Sequence, residues 1–134
     1  MSDAVLRTHP GLLPLKAAQV WSSRNATISF ARMCRVHVAL APYRRGLMSK
    51  AEVEGTPLVR PLFFEFPTDG GSLDIWKVFM LGSELLVAPV LDAGAQNVEV
   101  YFPPLPPGAG RWIHVWSQEP VRATGTHAAS AHVS

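Results

Sequence analysis

The chain of 134 residues has room for one sizeable hydrophobic core and no more. Apolar residues make up 48% of it and charged residues 16%, a globular composition that excludes a disordered chain. No apolar run reaches the roughly 18 residues of a transmembrane helix, so the sequence predicts no membrane partner. The first residues, MSDAVLRTHPG, lack the features of a secretory signal, which slightly favours a cytoplasmic location.

The net charge of +2 is too diffuse to indicate a nucleic-acid partner. A single cysteine, Cys34, excludes an internal disulfide and is expected to pack as a small hydrophobe. Neither a zinc motif nor a phosphate-binding loop is present, so we predict no metal site and no cofactor. The basic residues are spread along the chain, and their only cluster lies on a predicted helix: Arg32, Arg35, Arg44 and Arg45.

The first long element is a helix running to about Glu54, with Asn25 or Thr27 as its N-cap. Asn25 also begins a glycosylation triplet, which only a secreted chain would use. Pro42 predicts a kink or restart, and Gly55 supplies the stop. Three- and four-residue steps define one buried stripe, consisting of Phe30, Met33, Cys34, His37, Leu40, Ala41, Leu47, Met48 and Ala51.

A second block of elements spans residues 56–90. The apolar run at 57–66 predicts a strand covered on both faces, as in a parallel sheet. Arg60 inside that strand needs a partner, and a structural carboxylate is the favoured one. A turn then leads into a short helix through Met80, closed by Gly82, and LLVAPV begins a new strand. The candidate caps of that helix are Asp69, Ser72 and Asp74.

Beyond about Ser83 the pattern becomes all-β. VEVYF at 98–102 and WIHVW at 112–116 alternate, which predicts an antiparallel hairpin or meander across the proline-rich loop between them. Trp112 and Trp116 share one face of the second run, where they could pack in a core or stack on sugar rings. The tail at 123–134 is small and polar and is expected to be disordered.

Several segments, in this order, resemble glycoside hydrolase family 31: RPLFFEFP, FMLG and ELLVAPV, preceded by Arg7-Thr8-His9 and by Leu40-Ala41-Pro42-Tyr43. FARMCRVHVALAPYRR and WIHVWSQEP are most similar to the branch of the family that contains sulfoquinovosidases. The sequence departs from many relatives at Trp76 and Val78, where they have Asp and Gln.

The resemblance implies the fold class α/β plus all-β. Residues 1–82 would form the last strands and helices of a (β/α)8 barrel, and residues 83–122 part of a C-terminal antiparallel β-sandwich. Residues 123–134 would be a disordered tail. The implied activity is hydrolysis of an α-glycosidic bond with retention, and the implied partner of the full-length enzyme is a carbohydrate.

The two aspartates that such enzymes use lie, by the resemblance, on earlier barrel strands, upstream of the Arg7-Thr8-His9 turn. We therefore expect this chain to be a C-terminal fragment with no catalytic residue and no activity alone. By the resemblance His9 contacts sugar hydroxyls, whereas the residues alone also allow an ordinary loop histidine. Arg7 would hold a carboxylate or the sugar, or else form a structural ion pair.

Two other hypotheses stay open. A non-catalytic module that binds carbohydrate or a protein would fold cooperatively by itself. The sequence also leaves room for a chain with no function.

Overall fold

The computed structural model describes residues 19–92, 94–121 and 129–132. The chain divides into two compact units, Met1–Thr56 and Pro57–Ser134. Within the described residues, no helix has the length and apolarity needed to cross a membrane.

Two helices make up the described part of the first unit, α1 (Arg24–Ala39) and α2 (Ala41–Glu54). The break between them at Leu40 confirms the restart predicted from Pro42, which lies in the first turn of α2. Proline is tolerated there because the first-turn N–H groups have no partner inside the helix. Arg44 Nη1 donates to the His37 carbonyl at 2.6 Å, so a guanidinium from α2 satisfies a carbonyl near the end of α1.

The helix ends are set by one side chain and one glycine. Ser23 caps α1, its hydroxyl accepting a hydrogen bond from the Ala26 N–H at 3.1 Å. The predicted caps Asn25 and Thr27 are wrong, because both already lie inside α1. Gly55 ends α2 with φ of 70°, as predicted, in the left-handed region that favours glycine.

The predicted apolar stripe follows the faces of these helices but is not buried. Eight of its nine residues are half-buried, and Met33 is exposed. No residue of α1 or α2 is fully buried. His37 and Cys34 are therefore half-buried residues, not the core residues that were expected.

The second unit contains a three-stranded antiparallel sheet in the order β1-β2-β3. Its strands are β1 (Val59–Pro61), β2 (Phe79–Leu81) and β3 (Leu85–Val87). Arg60 pairs with Met80, which pairs with Leu86 on the other side. Gly82 follows β2 with φ of 64°, and its N–H donates to the Leu58 carbonyl at 2.7 Å. The described neighbour of β1 is thus antiparallel, which corrects the expected parallel strand.

The apolar run at 57–66 is a strand followed by a helix, not one strand. Pro61 ends β1 and serves as the N-cap of the short helix α3 (Leu62–Glu65). Since proline has no N–H to give to a sheet ladder, it is found at edge strands, and β1 is an edge of this sheet. Apolar content alone could not separate the two elements, because Leu62 is fully buried as a helical residue.

The helix predicted through Met80 is also wrong. A 3₁₀ helix covers only Gly70–Ser72, with Asp69 as its N-cap, and β2 begins at Phe79. Met80 is fully buried on the central strand of the sheet, between β1 and β3. Its packing there outweighs the helix propensity of the local sequence. Of the three proposed caps, Asp69 alone is in a capping position.

The predicted hairpin between 98–102 and 112–116 does not form. Strand β4 (Asn97–Val100) instead pairs antiparallel with β5 (Ala129–His132). Residues 112–116 fold back on the residues after them, with Ile113 and Pro120 forming a bridge. The expectation of a disordered tail therefore does not hold at Ala129–His132, and residues 123–128, 133 and 134 lie outside the described residues.

The described core of the second unit is small and joins both sheets. Its fully buried hydrophobic cluster consists of Leu62, Val78, Met80 and Val100. Trp112 packs against it between Phe66 and Phe102, with ring centroids 6.1 and 5.9 Å apart, and its indole N–H donates to the Pro103 carbonyl. The division between the two compact units lies at Thr56–Pro57. The domain boundary that the sequence predicts, near Ser83, falls in the turn between β2 and β3, which pair with each other.

Candidate functional site

The two residues predicted to bind substrate, His9 and Arg7, lie outside the described residues. Their roles stay predictions. An ion pair between Arg60 and Glu65, a contact between Asp69 and Tyr101, and a surface groove all lie in the unit that begins at Pro57.

Arg60 and Glu65 form their ion pair at the junction of β1 and α3. Arg60 Nη1 lies 2.7 Å from Glu65 Oε2, and the two side chains are 7% and 21% exposed. The five-residue spacing works because α3 turns the chain back over β1, placing its last residue next to the strand. The expected structural carboxylate partner of Arg60 is confirmed.

The Arg60 guanidinium is held further by Phe64, whose ring centroid is 5.6 Å from the guanidinium carbon. Its Nε is buried and has no hydrogen-bond partner. The buried cation therefore has its carboxylate partner in place, and the pair joins β1 to α3.

Asp69 and Tyr101 connect the 3₁₀ turn to the segment after β4. The Tyr101 hydroxyl donates to the Asp69 carboxylate, with its oxygen 2.8 and 2.9 Å from the two acceptors, and the Gly71 N–H donates to Oδ1 at 3.2 Å. Burial, followed by the hydrogen bond and the negative charge of Asp69, raises the pKa of Tyr101. Sequence reasoning identified Asp69 as a cap but missed its partner, which is 32 positions away.

A retaining glycosidase needs two carboxyl groups about 5–5.5 Å apart, one of them free to attack. Glu65 and Asp69 are the half-buried acids among the described residues, and every other acid in those ranges is exposed. Arg60 engages Glu65, while Tyr101 and Gly71 engage Asp69. Both therefore have structural roles.

The two tryptophans predicted to share a face separate in the structure. Trp112 packs against the core, one of the two uses considered for it, and Trp116 is 47% exposed. Among the described residues, no three His, Cys, Asp or Glu side chains are grouped as a metal site would require.

A groove of about 490 Å³ opens on the surface of the second unit. The segment before β2, the segment after β3 and strand β4 form its walls. No sequence signal pointed to it, because its residues come from a predicted helix and two separate stretches of chain that meet only in the folded unit.

Comparison with known families identifies the chain. Residues 55–134, more than half of its length, match the model of the glycosyl hydrolase family 31 C-terminal domain. The chain belongs to glycosyl hydrolase family 31, a family of glycosidases. The family resemblance drawn from RPLFFEFP, FMLG and ELLVAPV is confirmed.

Curated relatives include sulfoquinovosidases and α-glucosidases. The chain is 36% identical to a sulfoquinovosidase of Agrobacterium fabrum over 113 residues, 84% of this chain and 16% of the relative. It is 30% identical to a sulfoquinovosidase of Escherichia coli over 88% of this chain and 17% of the relative. An α-glucosidase of Hordeum vulgare is 40% identical over 65% of this chain and 9% of the relative. The chain thus spans less than a fifth of these relatives.

Solved structures of family 31 enzymes also match the chain. A family 31 sulfoquinovosidase from E. rectale, in complex with an aza-sugar inhibitor, superposes with a TM-score of 0.79 and 29% identity, over 96% of this chain and 18% of that one. A family 31 α-xylosidase from a soil metagenome, complexed with xylose, gives a TM-score of 0.72 and 29% identity, over 87% of this chain and 16% of that one.

Proposed function

We propose that this chain is the C-terminal part of a retaining α-glycosidase and that the catalytic aspartates belong to a part of the enzyme not contained in it. The observation that carries the proposal is that most of this chain matches a stretch shorter than a fifth of the length of each family 31 relative. Residues 1–82 would complete the barrel and residues 83–122 would begin the sandwich.

The surface of the second unit supports a role within a larger protein. Large hydrophobic side chains are exposed around β1 and α3, including Val59 at 57%, Phe63 at 43% and Phe64 at 47%. Adjacent apolar side chains of this size are typical of a surface that packs against further protein. The alternative, a free-standing module that binds carbohydrate or protein, would leave this surface in water.

In the assembled enzyme, His9 would donate or accept a hydrogen bond at a sugar hydroxyl, and Arg7 would orient a carboxylate or the sugar nearby. Neither residue would attack the glycosidic bond. Their contribution would be to position the sugar for the aspartates, which supply the nucleophile and the acid/base.

The test is a chimera in which this chain replaces the matching C-terminal stretch of the Agrobacterium fabrum relative. We expect the 134 residues alone to leave a chromogenic α-glycoside intact and the chimera to hydrolyse it. His9→Ala in the chimera should lower kcat/KM by about 10- to 100-fold, the loss expected when a hydrogen bond in a buried sugar site goes unmade.

The matched control is His114→Ala, since the His114 ring hydrogen-bonds to the exposed neighbour Ser117, at 2.8 Å. It should leave kcat/KM within about twofold of the unmodified chimera. A folded chimera without hydrolysis would contradict the proposed function. Equal activity of the two histidine variants would contradict the role of His9.

A further inference from the structure

The groove of the second unit has the dimensions of a ligand site. Its volume of about 490 Å³ falls within the roughly 300–1,000 Å³ typical of small-molecule sites. Val78 and Val98 line it, and both belong to the core or pack against it. The base of the groove is therefore held by the same contacts that hold the fold.

Trp76 gives the groove an aromatic wall. The residue is 79% exposed, so the face of the indole away from Lys77 is open to a ligand. The ammonium of Lys77 lies 5.1 Å from the ring centroid, close enough to orient the ring by a cation–π contact. An exposed indole presents a flat apolar face beside a polar N–H, which suits a ligand that has both C–H and O–H groups.

The polar side chains of the groove are mainly hydrogen-bond acceptors. Carboxylates come from Asp74, Asp92 and Glu99, and Asn97 adds an amide. All four residues are exposed. Carboxylates accept hydrogen bonds from hydroxyls, and an amide can both donate and accept.

The charge of the groove limits the class of ligand that it can bind. Three carboxylates face one ammonium, that of Lys77, which leaves a net charge of −2 among these lining residues. An anionic ligand such as a phosphorylated or sulfated sugar would be repelled, and a neutral polyhydroxylated one would not.

We propose that this groove binds a neutral oligosaccharide, with a sugar ring stacked on Trp76 and hydroxyls donating to Asp74, Asp92 and Glu99. The groove takes no part in bond cleavage. It would hold a carbohydrate chain on the unit that begins at Pro57, a binding role that adds to the proposed hydrolytic one.

The test is an NMR titration of the ¹⁵N-labelled 134-residue chain with isomaltotriose, monitored through the chemical shifts of the backbone amides and the indole N–H groups. We expect saturable shifts at the Trp76 indole and at the Asn97 and Glu99 amides, with a Kd on the order of 1 mM. Glucose 6-sulfate should bind at least about tenfold more weakly than uncharged glucose, because the groove repels anions.

Trp76→Ala should weaken isomaltotriose binding by tenfold or more, and Glu99→Gln by a smaller factor, since it keeps one acceptor oxygen. Trp21→Ala is the matched control, because Trp21 is 70% exposed but lies in the other compact unit. Spectra of the variants that overlay outside the groove will show that each retains its fold.

The proposal is overturned if the chain gives the dispersed amide spectrum of a folded protein, alone or in the chimera, and shows no saturable shift up to roughly 20 mM isomaltotriose. It is also overturned if Trp76→Ala binds as well as Trp21→Ala, or if glucose 6-sulfate binds as well as glucose. Saturable shifts with a lysine-rich peptide but none with the saccharide would also overturn it. Because only binding is measured, the outcome is independent of whether the chimera hydrolyses a glycoside.

Discussion

At the scale of single residues, the contact between Asp69 and Tyr101 connects two separate parts of the second unit. It joins the turn after α3 to the segment after β4, across 32 positions of sequence. Gly71 is required beside it, because a Cβ at that position would overlap the Tyr101 hydroxyl.

Tyr101→Phe should lower the free energy of unfolding by about 1–2 kcal/mol at neutral pH, since it removes a hydrogen bond to a carboxylate. The raised pKa of Tyr101 adds a pH dependence. The unfolded tyrosine loses its proton near pH 10.0 while the folded one resists, so this contribution is present below that pH and is lost as pH rises through the folded pKa.

Urea unfolding of the wild type and of Tyr101→Phe, at about pH 7 and about pH 11, measures this pH-dependent contribution of Tyr101 to stability. The difference in stability between wild type and Tyr101→Phe should shrink at the higher pH. A difference that stays constant would mean that the hydroxyl is not held by Asp69.

Gly71→Ala should destabilise by about 1–3 kcal/mol, because the added methyl must displace the tyrosine ring from Asp69. Gly70→Ala is the matched control, as nothing lies within 4 Å of a Cβ there. It should stay within about 0.5 kcal/mol of wild type in the same urea titration. Equal losses at both glycines would show that the turn backbone, and not the tyrosine, sets the requirement.

Glu65→Gln should lower the free energy of unfolding by about 1–3 kcal/mol, because it leaves the Arg60 side chain, only 7% exposed, without a counter-charge. Thermal or urea unfolding measures the loss. Glu99→Gln provides the comparison, since Glu99 is exposed on β4. If the two substitutions cost the same, the buried pair does not hold α3 against β1.

At the scale of elements, the helix pair is where local rules decide the structure. Pro42 at the start of α2 and Gly55 at its end act through the backbone alone, and both effects were predictable from the sequence. The start of α1 was not, because Ser23, Asn25 and Thr27 are all good caps, and only the observed hydrogen bond selects Ser23.

Two glycines of the same helix should respond in opposite directions. Gly55→Ala should destabilise α2 by about 1 kcal/mol, because a side chain at φ of 70° is strained. Gly46→Ala, inside α2 with open space around it, should stabilise by a similar amount. Helix content and thermal unfolding by circular dichroism measure both, and a stabilising Gly55→Ala would rule out the left-handed cap.

The strands were harder to predict, in part because β1 with β2 and β4 with β5 pair across long stretches of sequence. An apolar run as long as 57–66 has no internal mark of where β1 ends and α3 begins, except Pro61. The pattern around β2 favoured a helix, although β3 follows β2 directly across the turn at 82–84. The other partner of β2, around Arg60, is distant in sequence. β4 alternates as a strand should, but its partner at Ala129–His132 has small, polar residues that carry no strand signal.

At the scale of the whole molecule, the family could be recognised from the sequence, because RPLFFEFP, FMLG and ELLVAPV keep their order and spacing. The site could not be predicted to the same depth. A structural carboxylate partner for Arg60 was predictable, but that Glu65 supplies it was not. The groove beside Trp76 depends on three segments that the sequence does not connect.

The central claim is that this chain is part of a longer glycosidase, and the intact mass of the native polypeptide tests it most directly. An antibody against residues 60–90 would capture the product from the host cell for mass spectrometry. We predict a mass several times the 14.6 kDa of this chain, in keeping with relatives of which it spans less than a fifth. A product of 14.6 kDa, captured with no second chain that carries a barrel, would contradict the claim.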